Sequence, residues 1–429
     1  MSMNLLRTRL DNGLKVMIRE SHTAPVASFW IWYRVGNRNE RPGVTGISHW
    51  LEHMLFKGSE RWPEGKADQA IARVGGVFNG MTWFDFTTYY ETIPVEKISL
   101  ALDIESDRMQ NVSFTPDDVE AERTVIISER QGSENSPLFL LQESVMRTAY
   151  QVHPYRHETV GTMEDLHAIT HADLDRHYHT YYVPGNAIVA ISGDFNAGEI
   201  ERITERYFER VPAGPEPPPV TETEPPQTEE RRTVVEGPGQ THYLTLCYHI
   251  PSAHHQDYFA LTVLNAVLAG GSGFLVGGGA LTNHTSRLYR ALVDKELSID
   301  VYGSLMSTVD PGLYQLSATV WPGRDIQEVE TALLAEIERV QNTPISQTEL
   351  EKAQRQARAL FAYSSESITS QAFWLGYSEI FADYTWFVQY LSNLAAVTSD
   401  DLRRVAQTYL APTNRTAGWY ISNQAPMEG

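Results

Sequence analysis

The alternation of apolar and polar residues predicts short strands interspersed with amphipathic helices. Strand-like apolar runs occur at 15–18, 27–33 and 187–191. Stretches with helical spacing of apolar residues lie between them, and the same mixture recurs in the second half of the chain. We therefore expect an α+β fold.

A proline- and glutamate-rich stretch at 212–232 divides the chain almost in half. Proline is excluded from helix and sheet interiors, so this stretch is predicted to be an extended linker. The residues before it, 170–186, match 398–414 at a constant offset of 228 with eight identities. Each copy predicts a helix with a threonine cap that ends in Pro-x-Asn before an apolar strand. The sequence thus predicts an internal duplication, with homologous domains at 1–211 and 233–429.

One amphipathic stretch contains His49-Trp-Leu-Glu52-His53. On a helix, positions i, i+3 and i+4 share one face, so His49 and His53 can bind one metal ion with Glu52 beside them. Catalytic zinc takes three protein ligands and keeps one position for water, whose proton a neighbouring carboxylate can accept. The order H-x-x-E-H is the signature of the inverzincin peptidases. Taken alone, the motif also fits a solvated polar helix face, and a third ligand must come from elsewhere.

A second helix is predicted to begin at Thr115 and Pro116, a favourable cap and first-turn pair. It carries Glu122 and Glu129, which are seven residues apart and so face the same way. A polar break at 131–133 is predicted to end the helix. Spacing does not decide which glutamate reaches the metal, and both would be ordinary exposed residues if the histidine motif were absent.

Composition limits the other functions open to the chain. The formal charge is −20, with 54 acidic residues against 34 basic ones, and this argues against nucleic-acid binding. The single cysteine, Cys247, lies in an apolar run and is predicted to be buried. No signal peptide and no stretch of about 18 apolar residues is visible, so we expect a cytoplasmic protein without a membrane span, or a periplasmic one if a signal peptide has been removed.

Further motifs make a family resemblance specific. The segment 46–58, a glutamate 76 residues beyond His53, and landmarks at 12–14, 35–40, 75–82 and 184–186 resemble the pitrilysin-type metallopeptidases, most closely the mitochondrial-processing-peptidase-like branch. The resemblance implies that His49, His53 and Glu129 bind Zn²⁺, that Glu52 is the general base, and that Glu122 supports the site. It also implies two α/β-roll domains per chain, which form half of a peptidase clamshell.

The second half departs from this pattern. The helix near 286–291 has no imidazole pair, and Leu360 stands near the place where Glu129 would recur, so one zinc site per chain is predicted. Active relatives also carry an Arg and a Tyr in a segment that here reads 292–301. The Arg position is Val293, and the Tyr position is Ile299 or Asp300. We therefore hypothesise that the chain is the zinc-bearing subunit of a heterodimer whose related partner supplies the Arg/Tyr pair, with a homodimer as the alternative.

Substrate contacts are predicted at the strand 76–82, where Phe78 and Asn79 could meet an extended peptide along the strand edge. An ordinary core strand is nearly as good an interpretation for Phe78. The glycine-rich run 270–280 lacks the lysine of a phosphate-binding loop, which leaves a connector or a substrate-gripping loop. A zinc endopeptidase acting on peptides or unfolded polypeptides is thus the favoured function. The alternatives are a non-catalytic structural subunit and a peptide-binding protein with structural zinc.

Overall fold

The computed structural model describes residues 5–270 and 284–423. They form two compact units, each built on its own β-sheet, and this confirms the predicted α+β class with two domains. Among the described helices, none combines the length and the apolar character that a bilayer crossing requires. The glycine-rich run 270–280 lies outside the described residues except for Gly270.

The first unit contains a six-stranded sheet. Its strands are β1 (Leu5–Arg9), β2 (Lys15–Glu20), β3 (Val26–Tyr33), β4 (Val77–Thr82), β5 (Thr87–Pro94) and β6 (Ala187–Gly193). Their order is β1-β2-β6-β3-β5-β4, and all neighbours are antiparallel except β2 and β6. The helices are α1 (Ile47–Leu55), α2 (Lys66–Arg73), α3 (Ile98–Asn111), α4 (Pro116–Glu134), α6 (Met163–Ala168), α7 (His171–Tyr181), α8 (Ala197–Phe208) and α12 (Ile368–Phe381).

Helices cover both faces of this sheet, which is why β3 is a continuous apolar run. Phe29 stacks on Phe208 of α8 on one face, while Trp30 and Trp32 pack against Phe373 of α12 on the other. Gly376 lets α12 approach closely, because a Cβ there would lie 2.0 Å from Nε1 of Trp32. The position of β4 at the sheet edge leaves one side of that strand without a neighbouring strand in the described sheet.

The second unit contains a five-stranded sheet with the order β7-β11-β8-β10-β9. Its strands are β7 (Arg231–Gly237), β8 (Tyr243–Ile250), β9 (Ser298–Leu305), β10 (Gly312–Val320) and β11 (Arg415–Ser422). Its helices are α5 (Pro137–Ala149), α9 (Asp257–Leu268), α10 (Ile326–Asn342), α11 (Gln347–Ser364), α13 (Tyr384–Ala396) and α14 (Ser399–Tyr409), with a π-helical turn at Tyr289–Val293.

The predicted repeat has the same local structure in both units. Helices α7 and α14 each begin with a Thr–Asp capping box, in which the threonine hydroxyl donates to the aspartate at 2.6 Å. After each helix, an asparagine Nδ2 donates to a tyrosine carbonyl of the helix end, at 2.9 Å for Asn186 and 2.7 Å for Asn414. The strand that follows, β6 or β11, pairs in parallel with β2 or β7. Sequence identity at these positions thus reflects conserved capping and turn geometry.

The compact units differ from the two contiguous halves of the sequence at two segments. The second unit includes Gly132–Arg156 from the first half, and the first unit includes Ser365–Tyr384 from the second half. Each of these segments supplies a helix that packs on the sheet of its unit: α5 on β7, β8 and β11, and α12 on β3 and β6. The boundaries 1–211 and 233–429 remain a prediction about the homologous halves and do not describe these compact units.

Three smaller expectations can be compared with the structure. Cys247 is buried as predicted. Helix α4 continues through the predicted break and ends at Glu134, so that prediction was wrong, because the polar residues at 131–133 remain compatible with helical geometry. The predicted linker 212–232 has no helix or strand up to residue 230, but its last two residues already belong to β7.

Candidate metal centre

Helix α1 begins at a glycine that offers no side chain for capping. Gly46 has φ = 88°, a left-handed conformation that glycine adopts without strain. The missing acceptor comes from Glu40, whose carboxylate accepts hydrogen bonds from the backbone N–H of Gly46 at 2.7 Å and of Ser48 at 2.9 Å. A carboxylate at this end of a helix also interacts favourably with the helix dipole. Glu40 therefore fixes the start of the short helix that carries the histidine motif.

This capping carboxylate lies in a buried environment. Glu40 is 7% exposed, and its burial raises its pKa to about 7, although the hydrogen bonds from Gly46 and Ser48 act in the opposite direction. A second buried carboxylate, that of Asp165, accepts hydrogen bonds from the backbone N–H groups of Gly43 and Thr45 in the preceding loop. Two acidic side chains thus hold the backbone where it enters α1.

Two helices bring three metal-ligating side chains together. Nε2 of His49 and Nε2 of His53 each lie 3.7 Å from Oε2 of Glu129. The candidate ligand atoms of all three residues lie within 4.8 Å of one another. The two histidines are adjacent on α1, as their spacing predicted, and Glu129 comes from α4.

The chemistry of these side chains fits Zn²⁺. Two imidazoles and one carboxylate form one of the ligand sets of catalytic zinc sites. Burial is the main cause that lowers the pKa of His49 to about 3, and the neighbouring His53 lowers it further. The His49 imidazole is therefore in the neutral form that binds metals. The Glu129 side chain is 47% exposed, against 14% for His49 and 26% for His53. The site is therefore open on the Glu129 side, where a water molecule and a substrate have access.

Glu122 takes a different position from Glu129 although both lie on α4. Its Oε1 is 2.9 Å from Nδ1 of His53, and its Oε2 is 2.8 Å from Nζ of Lys57. Burial raises the pKa of Glu122, but hydrogen bonds from Lys57 and His53 outweigh it and hold this pKa below its usual value. An ionised Glu122 holds His53 with Nε2 directed at the candidate metal position. The structure thus separates the two glutamates that helical spacing left equivalent.

The remaining motif residue, Glu52, is 8% exposed. Its Oε2 accepts a hydrogen bond from Oγ1 of Thr82 at 2.7 Å, and its burial raises its pKa. Strand β4 leaves room for this carboxylate because residue 80 is glycine: a Cβ there would lie 3.3 Å from Oε1 of Glu52 and 2.9 Å from the Tyr89 ring. Glu52 is therefore held in a fixed orientation beside the two histidines.

A cavity of about 310 Å³ adjoins these residues, and it is lined by Glu52, His53, Phe56, Lys57, Glu64, Asn79 and Glu122. Asn79 is exposed on β4 and lines this cavity. Phe78 packs against the Phe56 ring at 5.1 Å and beneath the Arg108 guanidinium at 5.2 Å, and its side chain is half-buried. Of the two substrate-binding candidates, Asn79 borders the cavity, whereas Phe78 contributes mainly to packing around the site.

Sequence reasoning did not identify Glu40, Lys57 or Thr82 as parts of this site. Lys57 lies two residues beyond the end of α1, so the helical spacing of the motif does not extend to it. Glu40 and Thr82 act through contacts that no local spacing indicates. Their only signal was their place in the family landmarks 35–40 and 75–82.

Among residues 5–270 and 284–423, His49, His53 and Glu129 are the one group of three side chains close enough to share a metal ion, so the described parts of the second unit have no comparable cluster. Leu360 lies on α11, and Val293 ends the π-helical turn before β9. Ile299 is the extra residue of a β-bulge, since Ser298 and Asp300 pair with consecutive residues of β10. Its side chain is 46% exposed.

Family models match both parts of the chain. Residues 15–163 match the model described as insulinase (peptidase family M16), and residues 168–357 match the model described as peptidase M16 inactive domain. The candidate metal ligands, at positions 49, 53 and 129, lie within the first match and outside the second. The part named as inactive therefore does not include the site.

Individual relatives are similar to this chain over different shares of its length. Zinc protease PqqE of Helicobacter pylori is 30% identical over 420 residues, which cover 95% of this chain and 90% of that protein. The crystal structure of a protease from Helicobacter pylori has a TM-score of 0.91 at 28% identity and covers 98% of this chain and 100% of its own. The probable beta subunit of the mitochondrial-processing peptidase of Arabidopsis thaliana is 29% identical over 208 residues, only 48% of this chain and 39% of that protein.

Proposed function

We propose a zinc-dependent endopeptidase function for this chain, which belongs to the M16 peptidase family. The supporting observation is the convergence of His49, His53 and Glu129 next to the buried carboxylate of Glu52. The first three residues would hold Zn²⁺, and Glu52 would act as the general base. Peptides or unfolded polypeptides are the proposed substrates.

Each side chain of the site has a distinct chemical task in this proposal. Zinc, when bound, supplies Lewis acidity toward the scissile carbonyl and lowers the pKa of a bound water. Glu52 accepts the proton of the attacking water and then donates it to the leaving amine. Its burial favours proton uptake, and the hydrogen bond from Thr82 keeps one carboxylate oxygen in place. Glu122 orients His53 through Nδ1.

A two-subunit active site is the finer part of the proposal. Neither Val293 nor Ile299 can donate the hydrogen bonds that an Arg and a Tyr would give a substrate. Asp300 carries a carboxyl group, which has neither the guanidinium donors of an Arg nor the phenol of a Tyr. A related partner that carries the Arg/Tyr pair would complete the site, as in the mitochondrial-processing-peptidase-like branch. The match to the Arabidopsis beta subunit, over about half of this chain, supports that branch.

Metal binding and peptide cleavage in matched variants test the function. The wild type and Glu205→Gln, which removes an exposed carboxylate from α8, should bind one zinc per chain and cleave a quenched fluorescent peptide library. Glu52→Gln should bind zinc equally well but lose cleavage by a factor of about 10² to 10⁴. Glu129→Gln should bind zinc weakly. Substantial hydrolysis by Glu52→Gln would refute the role of Glu52 as the base.

The partner is tested by measuring the same cleavage with the chain alone and after mixing it with a related subunit that bears the Arg/Tyr pair. Cleavage only in the mixture supports the divided site. Equal cleavage by the chain alone contradicts it and leaves a self-sufficient peptidase.

A non-catalytic function is the second candidate, because residues 168–357 match a model described as an inactive domain. In that case the chain would be a structural subunit or would bind peptides with zinc as a structural ion. A structural subunit predicts no stoichiometric zinc. A peptide-binding protein predicts stoichiometric zinc and peptide affinity, with no cleavage alone or with a partner.

A further inference from the structure

A second cavity, of about 450 Å³, shares no lining residue with the cavity at the metal centre. It is lined by Arg7, Thr8, Arg9, Gly13, Lys15, Arg34, Gly185 and Ala187. Four of these eight residues are cationic and none is acidic, in a chain whose formal charge is −20. We call it the cationic cavity.

The first two strands of the sheet carry three of the four cations. Arg7 and Arg9 are two residues apart on β1, so their side chains project from the same face. The register of β1 with β2 places Arg9 directly opposite Lys15. Like charges directly opposite each other in an antiparallel pair are destabilising. The fold therefore places two cationic residues side by side at this cavity.

One acidic residue, Glu379 of α12, contacts two of the four cations. Its carboxylate pairs with the Lys15 ammonium, and its backbone carbonyl accepts a hydrogen bond from Nη2 of Arg34 at 3.2 Å. Among the described residues, no carboxylate forms an ion pair with Arg7, Arg9 or Arg34 within 4 Å. The Arg9 Nε donates to the Gly13 carbonyl at 3.1 Å, and Arg7 lies over the Tyr384 ring at 5.6 Å.

Arg34 is less exposed than the two arginines of β1 and has few hydrogen-bond partners. A guanidinium has five N–H donors, and that of Arg34 makes one hydrogen bond to the described residues. Burial lowers its pKa, Glu379 raises it, and the nearby charge of Arg9 lowers it further. A half-buried guanidinium with unused donors at a cavity wall is suited to a ligand that brings both negative charge and acceptor oxygens.

We propose that the cationic cavity binds a compact oxyanion with at least two negative charges, of the phosphate or carboxylate class. Guanidinium groups match the paired oxygens of both classes. The cavity has the size of a small-molecule site. The wall at Gly185 is open, since a Cβ there would meet nothing within 4 Å. The anion would neutralise Arg9, which has no carboxylate partner among the described residues, and supply acceptors to Arg34.

Protection of the sheet edge is the competing explanation, because charged residues on an edge strand discourage pairing with other chains. It accounts for the exposed Arg7 and Arg9 on β1. It does not account for Arg34, which follows β3 in the interior of the sheet, or for the cavity that the four cations line together. The anion site does not depend on the peptidase function or on bound metal.

Calorimetric titration and thermal unfolding of the full chain test the site, with inorganic pyrophosphate and citrate as probes at constant ionic strength and sodium chloride as the reference salt. We expect saturable binding of at least one probe with a Kd below about 1 mM, together with a rise in Tm. Stronger binding of pyrophosphate assigns the site to phosphates, and stronger binding of citrate assigns it to carboxylates.

A matched pair of arginine variants distinguishes the cavity from general charge effects. Arg9→Gln should raise the Kd at least tenfold. Arg202→Gln should leave the Kd unchanged. Arg202 is a matched control because, like Arg9, it is an exposed arginine whose Nε donates a hydrogen bond to a backbone carbonyl four residues away, here that of Gly198. Arg34→Gln should abolish binding. If Arg34→Gln does not fold, the comparison of Arg9→Gln with Arg202→Gln is sufficient to test the site. The absence of saturable binding, or equal losses in Arg9→Gln and Arg202→Gln, would overturn the site.

Discussion

Replacing Glu40 by glutamine tests how the helix that carries the metal ligands is held. Glutamine has nearly the same shape and can still accept a hydrogen bond from one of the two backbone N–H groups, but it cannot ionise. The variant therefore isolates the charge of the buried cap from its volume. Its effect should depend on pH in a direction that the structure determines.

The sign follows from the raised pKa of Glu40, about 7 in the folded chain against an ordinary value of 4.5. The folded protein binds this proton more tightly than the unfolded chain does, so the contribution of Glu40 to stability is complete below pH 4.5 and is lost as the pH rises through 7. Between pH 5 and pH 8.5 the loss amounts to about 2.5 kcal/mol. Glu40→Gln lacks this loss, so the variant should gain stability relative to the wild type over that range.

Urea unfolding of metal-free protein in chelator, repeated from pH 5 to pH 8.5, measures the difference in free energy of unfolding between variant and wild type. Metal-free protein avoids the protons that ligand histidines release on binding zinc. Asp401→Asn in the cap of α14 is the control. The hydrogen bond from Thr398 lowers the pKa of Asp401, so this carboxyl group stays ionised from pH 5 to pH 8.5. The effect of Asp401→Asn on stability should therefore be constant over this range. A Glu40→Gln difference that is equally constant, or that moves against the variant at high pH, would refute the reasoning.

Three further substitutions probe the metal centre itself. Glu122→Gln should weaken zinc affinity by about tenfold to 100-fold, measured by competition with a chelating dye, because the orienting carboxylate loses its charge. In the wild type, the hydrogen bond from Thr82 lowers the pKa of Glu52. Thr82→Val removes this bond, so the acidic limb of the kcat/KM profile should shift to higher pH; an unchanged limb would contradict this. Gly80→Ala should destabilise the chain by about 1 to 3 kcal/mol in thermal unfolding, because its Cβ would lie 2.9 Å from a core tyrosine ring. Gly132→Ala on α4, where a Cβ meets nothing within 4 Å, should instead be neutral or stabilising.

Local periodicity explains the parts of the structure that the sequence predicted well. The three motif residues share a helix face because backbone hydrogen bonding fixes the angle between residues three and four apart. The same rule placed Glu122 and Glu129 on one side of α4, but it could not rank them. Their difference arises where α4 passes α1: Glu122 meets Nδ1 of His53 and Lys57, while Glu129 meets the two Nε2 atoms.

Contacts between distant residues explain what was not predicted. The partner of Glu52 is 30 residues away at Thr82, and the hydrogen-bond partner of His53 is 69 residues away at Glu122. Such pairs depend on how helices and strands pack, and a single sequence gives no periodic signal for them. The motif therefore indicates which chemistry the chain can perform, while the orientation of each group is determined by residues outside it.

The exchanged segments show the same limit at the scale of a domain. Two homologous halves of a sequence suggest two independent folding units, yet the sheet of the first unit is covered on one face by α12, which lies beyond residue 365. That helix buries Trp30 and Trp32, which are 1% and 0% exposed. Without it, two large aromatic side chains of the strand β3 would face water, and each burial of this kind contributes about 2 kcal/mol or more. The strand β3 lies inside the sheet, between β5 and β6. Because α12 covers this strand, completion of the first unit depends on chain from the second half of the sequence.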